Sequence, residues 1–114
     1  MPVFTVDRPD GRADGDEWTA DYDKLPGDAN VSIILESTTR EGVGPRLHKH
    51  PYAETFIIRR GSATFTVGAD RIEGFAGQIL VVPADTPHKF STGPAGYDAV
   101  HIHANPTFVT QWLE

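Results

Sequence analysis

Glycine and proline interrupt this chain so often that little but short strands fits between them. Eleven glycines and nine prolines are spread over 114 residues as punctuation between short apolar segments. Proline removes a ladder donor and fixes φ, while glycine opens left-handed turns, so the intervening runs are held to strand length. Past residue 30 those runs are rich in branched and aromatic residues: Val31 to Ser37, Glu54 to Arg59, Ala63 to Val67, Gln78 to Val82 and Tyr97 to His103. Turns are expected at Gly61-Ser62, Gly68-Ala69-Asp70, Gly74 and Gly93-Pro94-Ala95-Gly96. The only helix candidate is a turn or two after Pro106. Several short strands with no helix between them predict an all-β sandwich or barrel.

A chain of this size buries roughly two thirds of its extended surface, enough for one core. Sixteen acidic against ten basic residues give a formal charge of −6, which argues against broad electrostatic binding to nucleic acid or an anionic membrane. No apolar run approaches the ~20 residues of a bilayer span, and the N-terminus lacks a signal-peptide plan, so the cytoplasm is the expected compartment. The absence of cysteine excludes disulfides, thiolate ligands and cysteine nucleophiles. Residues 1–30, with Pro9-Asp10-Gly11, Asp14-Gly15 and Leu25-Pro26-Gly27-Asp28, read as an irregular acidic arm carrying Trp18 and Tyr22. Residues 31–114 are assigned to the barrel, with a short C-terminal tail.

Histidine, aspartate and glutamate must carry any metal chemistry. His48 and His50 are two apart between Pro45 and Pro51, which favour extended backbone, so both rings point to one side. Glu54 follows across a Pro-Tyr bend, and His88 follows Pro83-Ala84-Asp85-Thr86-Pro87. Three imidazoles and a carboxylate suit a borderline divalent ion, Fe, Mn, Ni, Co or Zn, and not the all-oxygen preference of calcium. On spacing alone the alternative is a pair of exposed loop histidines beside a surface glutamate.

Gly42, His48, His50, Glu54 and Gly61 stand at the positions of the first cupin motif, G-x5-H-x-H-x3-E-x6-G. Gly77, Pro83 and His88 match the second, G-x5-P-x-G-x2-H-x3-N, with Asp85 at the internal glycine and Thr92 at the final asparagine. The chain therefore resembles a small single-domain cupin. That resemblance implies a double-stranded β-helix, or jelly-roll, barrel of six to twelve strands with one metal held by His48, His50, Glu54 and His88. It also implies a homodimer, for which the arm near Trp18 and the tail Phe108 to Leu113 are the candidate contacts. Asp85 is expected to preserve the bend before His88, and Thr92 to act on the strand end.

Alternation places Phe56 and Ile58 on the face of Glu54, and Phe90 on that of His88, as walls of a substrate pocket. Tyr52, in the bend, is a candidate to reach substrate through its hydroxyl. On the last strand either Tyr97, Ala99, His101 and His103 or Asp98, Val100 and Ile102 face inward. Charge cost favours the second set in a plain scaffold, and an active pocket the first. His101 is then the reserve base and His103 a weaker candidate, while Glu54 serves as ligand and proton acceptor. Arg59, Arg60 and Lys49 read as solvated surface charge, and Arg46 remains a candidate for substrate. The functional expectation is a metal-dependent enzyme on a small oxygen-bearing molecule, in first place a dioxygenase. Behind it stand a redox-neutral isomerase, cyclase or decarboxylase and a non-catalytic metal- or metabolite-binding barrel.

Overall fold

The computed structural model describes residues 3–7 and 18–114. Among them lie β1 (Trp18–Tyr22), β2 (Ser32–Thr38), β3 (His48–Lys49), β4 (Glu54–Val67), β5 (Asp70–Phe75), β6 (Ile79–Val82), β7 (His88–His103) and β8 (Gln111–Trp112). Every pairing is antiparallel and the eight strands form one curled sheet, the jelly-roll type expected of the sequence. No helix occurs among the described residues, so none is long and apolar enough to cross a membrane.

The frame is the long ladder of β4 against β7, running from Glu54↔His103 to Val67↔His88. Its register slips between Ile58 and Arg60 and again between Gly61 and Ala63. Opposite the second slip the partner jumps from Thr92 to Tyr97. Gly61-Ser62 and Gly93 to Gly96, expected as turns, are therefore bulges inside two continuous strands. Here the backbones nearly touch: a Cβ on Gly61 would strike the carbonyl of Gly96, and both glycines have positive φ, 74° and 82°. Bulges bend a ladder and raise its twist. The two halves of β7 consequently serve different neighbours, β2 along Tyr97–His103 and β3 at His88.

Three further expectations change. Residues 18–22, read as part of an irregular arm, form β1 and pair along β2, with Ala20 buried. The segment 70–75 is a strand although Asp70, Arg71 and Glu73 give it no apolar alternation; pairing with residues 62–67 holds it. The tail is not helical, and β8 pairs with β3 through His48↔Trp112 and Lys49↔Gln111. The part of the expected irregular arm that carries Pro9-Asp10-Gly11 and Asp14-Gly15 lies outside the described residues.

Directly opposed residues share a face, so the registers define inward rows across the sheet. One runs Ser32–His103–Glu54–Val82, the next Asp21–Ile34–His101–Phe56–Leu80, and the third Thr19–Glu36–Ala99–Ile58. On β7 the inward set is thus Tyr97, Ala99, His101 and His103, all buried. The core of Phe56, Ile58, Ala63, Phe65, Val82, Phe90, Tyr97 and Ala99 closes one end of the barrel. On the outer face, Ile79 and Val81 are 64% and 60% exposed.

Both departures from the motif have a structural counterpart. Asp85 adopts a left-handed φ of 60°, and its N–H donates to the His50 carbonyl at 2.7 Å. The Thr92 hydroxyl donates to the Arg40 carbonyl at 2.7 Å and accepts the Val43 N–H at 2.9 Å. Backbone bonds of 2.9 Å from Gly42 N–H to Thr92 O and from Thr92 N–H to Val43 O complete the clasp. Thr92→Val keeps the shape and leaves two backbone groups unpaired, so it should cost about 2 kcal/mol. Urea unfolding checks this; a loss under about 0.5 kcal/mol would show the clasp to be dispensable.

Candidate metal centre

His48 and His88 are a cross-strand pair, His50 follows β3 directly, and Glu54 opens β4. Strand pairing, Pro51 and the Asp85 bend bring the four together, all buried, with one ligand atom from each lying within 4.8 Å of the others.

The imidazoles are oriented by backbone. Nδ1 of His48 is 2.7 Å from the Arg46 carbonyl, that of His50 2.8 Å from the Val109 carbonyl, and that of His88 2.8 Å from the Thr86 carbonyl. A carbonyl only accepts, so each Nδ1 carries a proton and each ring turns its Nε2 inward. The Glu54 Oε1 lies 3.2 Å from His50 Nε2 and 3.0 Å from His88 Nε2. His50 Nε2 is buried without a hydrogen-bond partner. Lone pairs converging on a carboxylate oxygen repel it unless a proton or cation lies among them. This donor set therefore fits a borderline divalent ion. Burial pushes the Glu54 carboxyl up, but His103, His50 and His88 outweigh it and hold it below the usual carboxylate range.

The second Glu54 oxygen faces a different group. His103, directly across the ladder, places Nε2 3.1 Å from Glu54 Oε2. The Tyr52 hydroxyl accepts the Val109 N–H at 3.1 Å and lies 2.7 Å from His103 Nδ1. Tyr52 also stacks on His50, with ring centroids 5.0 Å apart and planes 10° apart. His101 bonds Tyr97 OH through Nε2 at 2.9 Å and sets Nδ1 3.9 Å from Glu54 Oε2. Burial pulls His101 down to about 4, so it is neutral at physiological pH.

A cavity of about 350 Å³ opens beside the cluster. Phe56, Phe90 and His101 line it, as does His103. Ile58 does not: its row lies one step farther from Glu54, opposite Ala99, and it packs in the core. Arg46 does not either, because its guanidinium covers the Trp112 ring at 4.9 Å from the centroid, and only its carbonyl serves the site. Tyr52 stands behind His50 with its hydroxyl already engaged, away from the cavity lining. Asp21, Ile34 and Glu36 on β1 and β2 and Phe108, Thr110 and Trp112 of the tail were not identified as lining from the sequence. For Glu36 a signal existed, since Ile34 and Glu36 share parity and a lone acid ends an otherwise apolar run.

Glu36 is the other strongly perturbed acid of the cavity. Burial first, then Asp21 and Glu54, push it from the ordinary 4.5 up to about 7. Its Oε2 lies 3.8 Å from His101 Nε2. Asp21 is also raised, chiefly by burial.

Comparison with known proteins agrees with this architecture. Oxalate decarboxylase of Bacillus subtilis superposes with a TM-score of 0.76 at 20% identity, over 90% of this chain and 29% of its own. Pumpkin seed globulin superposes with a TM-score of 0.72 at 16% identity, over 83% of this chain and 28% of its own. The chain spans under a third of either, and at such identities the likeness is one of fold. No curated protein is recognisably similar in sequence. The family model described as "Cupin domain" matches residues 36–103, more than half of the chain and the segment that holds all four clustered residues. On that match, the chain is a member of the cupin family.

Proposed function

We propose that this cupin is a metal-dependent enzyme of redox-neutral chemistry, of the isomerase or decarboxylase type, acting on a small oxygen-bearing molecule. The observation that carries this reading is a second, largely buried carboxyl, Glu36, lining the same cavity as the His48, His50, Glu54 and His88 cluster. A divalent ion on those four residues would supply Lewis acidity to a substrate oxygen. Isomerisation and decarboxylation both require a proton delivered to, or taken from, carbon beside that oxygen. A carboxyl that titrates near 7 does this best, because at neutral pH it is present in both forms. Neutral His101 stands beside it as a second hydrogen-bonding group.

Tyr52 and His103 position the ligand set. With the Tyr52 O–H donating to His103 Nδ1, the His103 proton sits on Nε2, 3.1 Å from Glu54 Oε2 but not aligned on it, while Oε1 faces the imidazoles. The dioxygenase reading uses the same ligands but gives the buried carboxyl no task. The fold likeness to a decarboxylase with Mn(II) centres also leans to the redox-neutral side.

Hydrogen exchange under argon tests the proposal. Mn- or Zn-loaded protein in D₂O should place deuterium on carbon next to the carbonyl of hydroxyketones or keto acids, followed by NMR. Glu36→Gln should slow exchange by roughly 100-fold or more. Turnover that requires oxygen would overturn the redox-neutral assignment, and saturable binding without exchange or turnover would overturn the enzymatic one.

A further inference from the structure

Beyond the ligand cluster, the cavity lining is acidic and aromatic. Asp21 and Glu36 come from neighbouring strands, and Ile34, Phe56, Phe90, Phe108 and Trp112 supply the apolar wall. Among the described residues that line it, none is lysine or arginine. The described cations nearby are engaged elsewhere. Arg46 covers Trp112, Arg60 points to Ser37 Oγ at 3.4 Å, and Lys89 pairs with Glu114 at 3.1 Å. Arg40 does not line this cavity and lines instead a second cleft, to which Glu36 also contributes. A second observation marks the cavity as a ligand site: His103 Nε2 is buried and has no aligned hydrogen-bond partner, though it lines the space.

A small dicarboxylate held at the ion by one end needs donors or a cation for the other. Here the other end meets two carboxyls that burial already makes hard to ionise. Hydroxyl groups meet the reverse situation. They donate to Asp21 and Glu36, accept from His103 Nε2–H, and lay their C–H faces on the aromatic rings. A volume of about 350 Å³ lies at the small end of ligand pockets and holds one ring-sized molecule.

We infer that the cavity takes an uncharged polyhydroxy-carbonyl compound of monosaccharide size, bound through its hydroxyls by Asp21 and Glu36, and discriminates against small dicarboxylates. This deepens the proposed function and rests on it, narrowing the redox-neutral chemistry to the isomerase type.

Calorimetric titration of the Mn-loaded full chain at pH 7.5 with a ketopentose and with oxalate tests it. The expected result is ketopentose binding at least tenfold tighter than oxalate. In the Asp21→Asn/Glu36→Gln double variant, ketopentose should weaken at least tenfold and oxalate should tighten. Metal content and circular dichroism equal to the parent's establish that the variant folds and loads. If it does not, the Glu36→Gln single variant takes its place, with the same directions expected. Tighter oxalate binding in the parent, no ketopentose binding at millimolar concentration, or identical affinities in the folded variant would overturn the inference. Ketopentose preference without deuterium exchange would sink the catalytic proposal and leave the binding inference standing; exchange on a dicarboxylate that carries C–H beside its carboxyls, such as malonate, and not on the ketopentose would do the reverse.

Discussion

His88→Ala should abolish stoichiometric metal binding. The parent is expected to hold about one equivalent of a divalent transition ion per chain, and the variant to bind at least about 100-fold more weakly. That is a larger loss than removal of an outer partner of a ligand brings. His88 is the informative position because it faces His48 across the ladder and Glu54 Oε1 at 3.0 Å. Its removal opens one quarter of the donor set and leaves both neighbouring imidazoles held by their carbonyls. Glu54→Gln removes the only carboxylate of the cluster and should give the same loss with less change in shape. Metal analysis after gel filtration reads the stoichiometry. Thermal melts give an independent reading, since an ion at 1,000 times its Kd adds about 4 kcal/mol to the parent and nothing to a variant that cannot bind it. A variant that retains its equivalent would place the metal elsewhere.

Glu36→Gln should stabilise the metal-free protein at alkaline pH and leave it unchanged in acid. The Glu36 side chain is 14% exposed and faces Asp21 from β1, His101 and Tyr97 from β7 and Glu54 from β4, with Arg40 in the adjoining cleft. Its carboxyl is raised from 4.5 to about 7, so the folded state favours the protonated form more than the unfolded chain does. The stabilisation is full below pH 4.5 and is lost as pH rises through 7. Ionisation then costs the parent about 3 kcal/mol, which the glutamine variant avoids. Melting temperatures at pH 8 should differ by roughly 10 °C in favour of the variant, and by little at pH 4.5. Equal melting temperatures across that range would mean that Glu36 titrates normally and would remove the proton carrier from the proposed chemistry.

Most of the ligand cluster was legible from spacing. A His-x-His pair in extended backbone has its rings on one side whatever the barrel does, because the strand period is two. The Asp85 bend was equally local, since aspartate reaches left-handed φ through its own backbone. Gly61 was legible as a necessary glycine, although the reason lay out of reach: the carbonyl of Gly96 approaches from 35 residues away in sequence.

The cavity walls were much less legible. Ile58 shares a face with Phe56, yet one further step along β4 places it opposite Ala99 in the sealed core. Arg46 stands beside the motif but spends its charge on Trp112, which β8 brings back to His48. The last strand shows the limit most clearly, since both of its faces carried plausible core residues. Charge cost alone favoured burying Val100 and Ile102. The opposite parity won because Tyr97 and Tyr52 bond His101 and His103 and so give both buried imidazoles a hydrogen-bond partner.

Local chain chemistry was thus sufficient for strand type, bend positions and the mutual facing of His48 and His50, all of which depend on neighbours a few residues apart. Which side chains share the cavity with them, Glu36 and Asp21 above all, depended on pairing of β1 and β2 onto β7. A register is a relation between distant segments, and a shift of one residue would turn every one of those side chains to the opposite face.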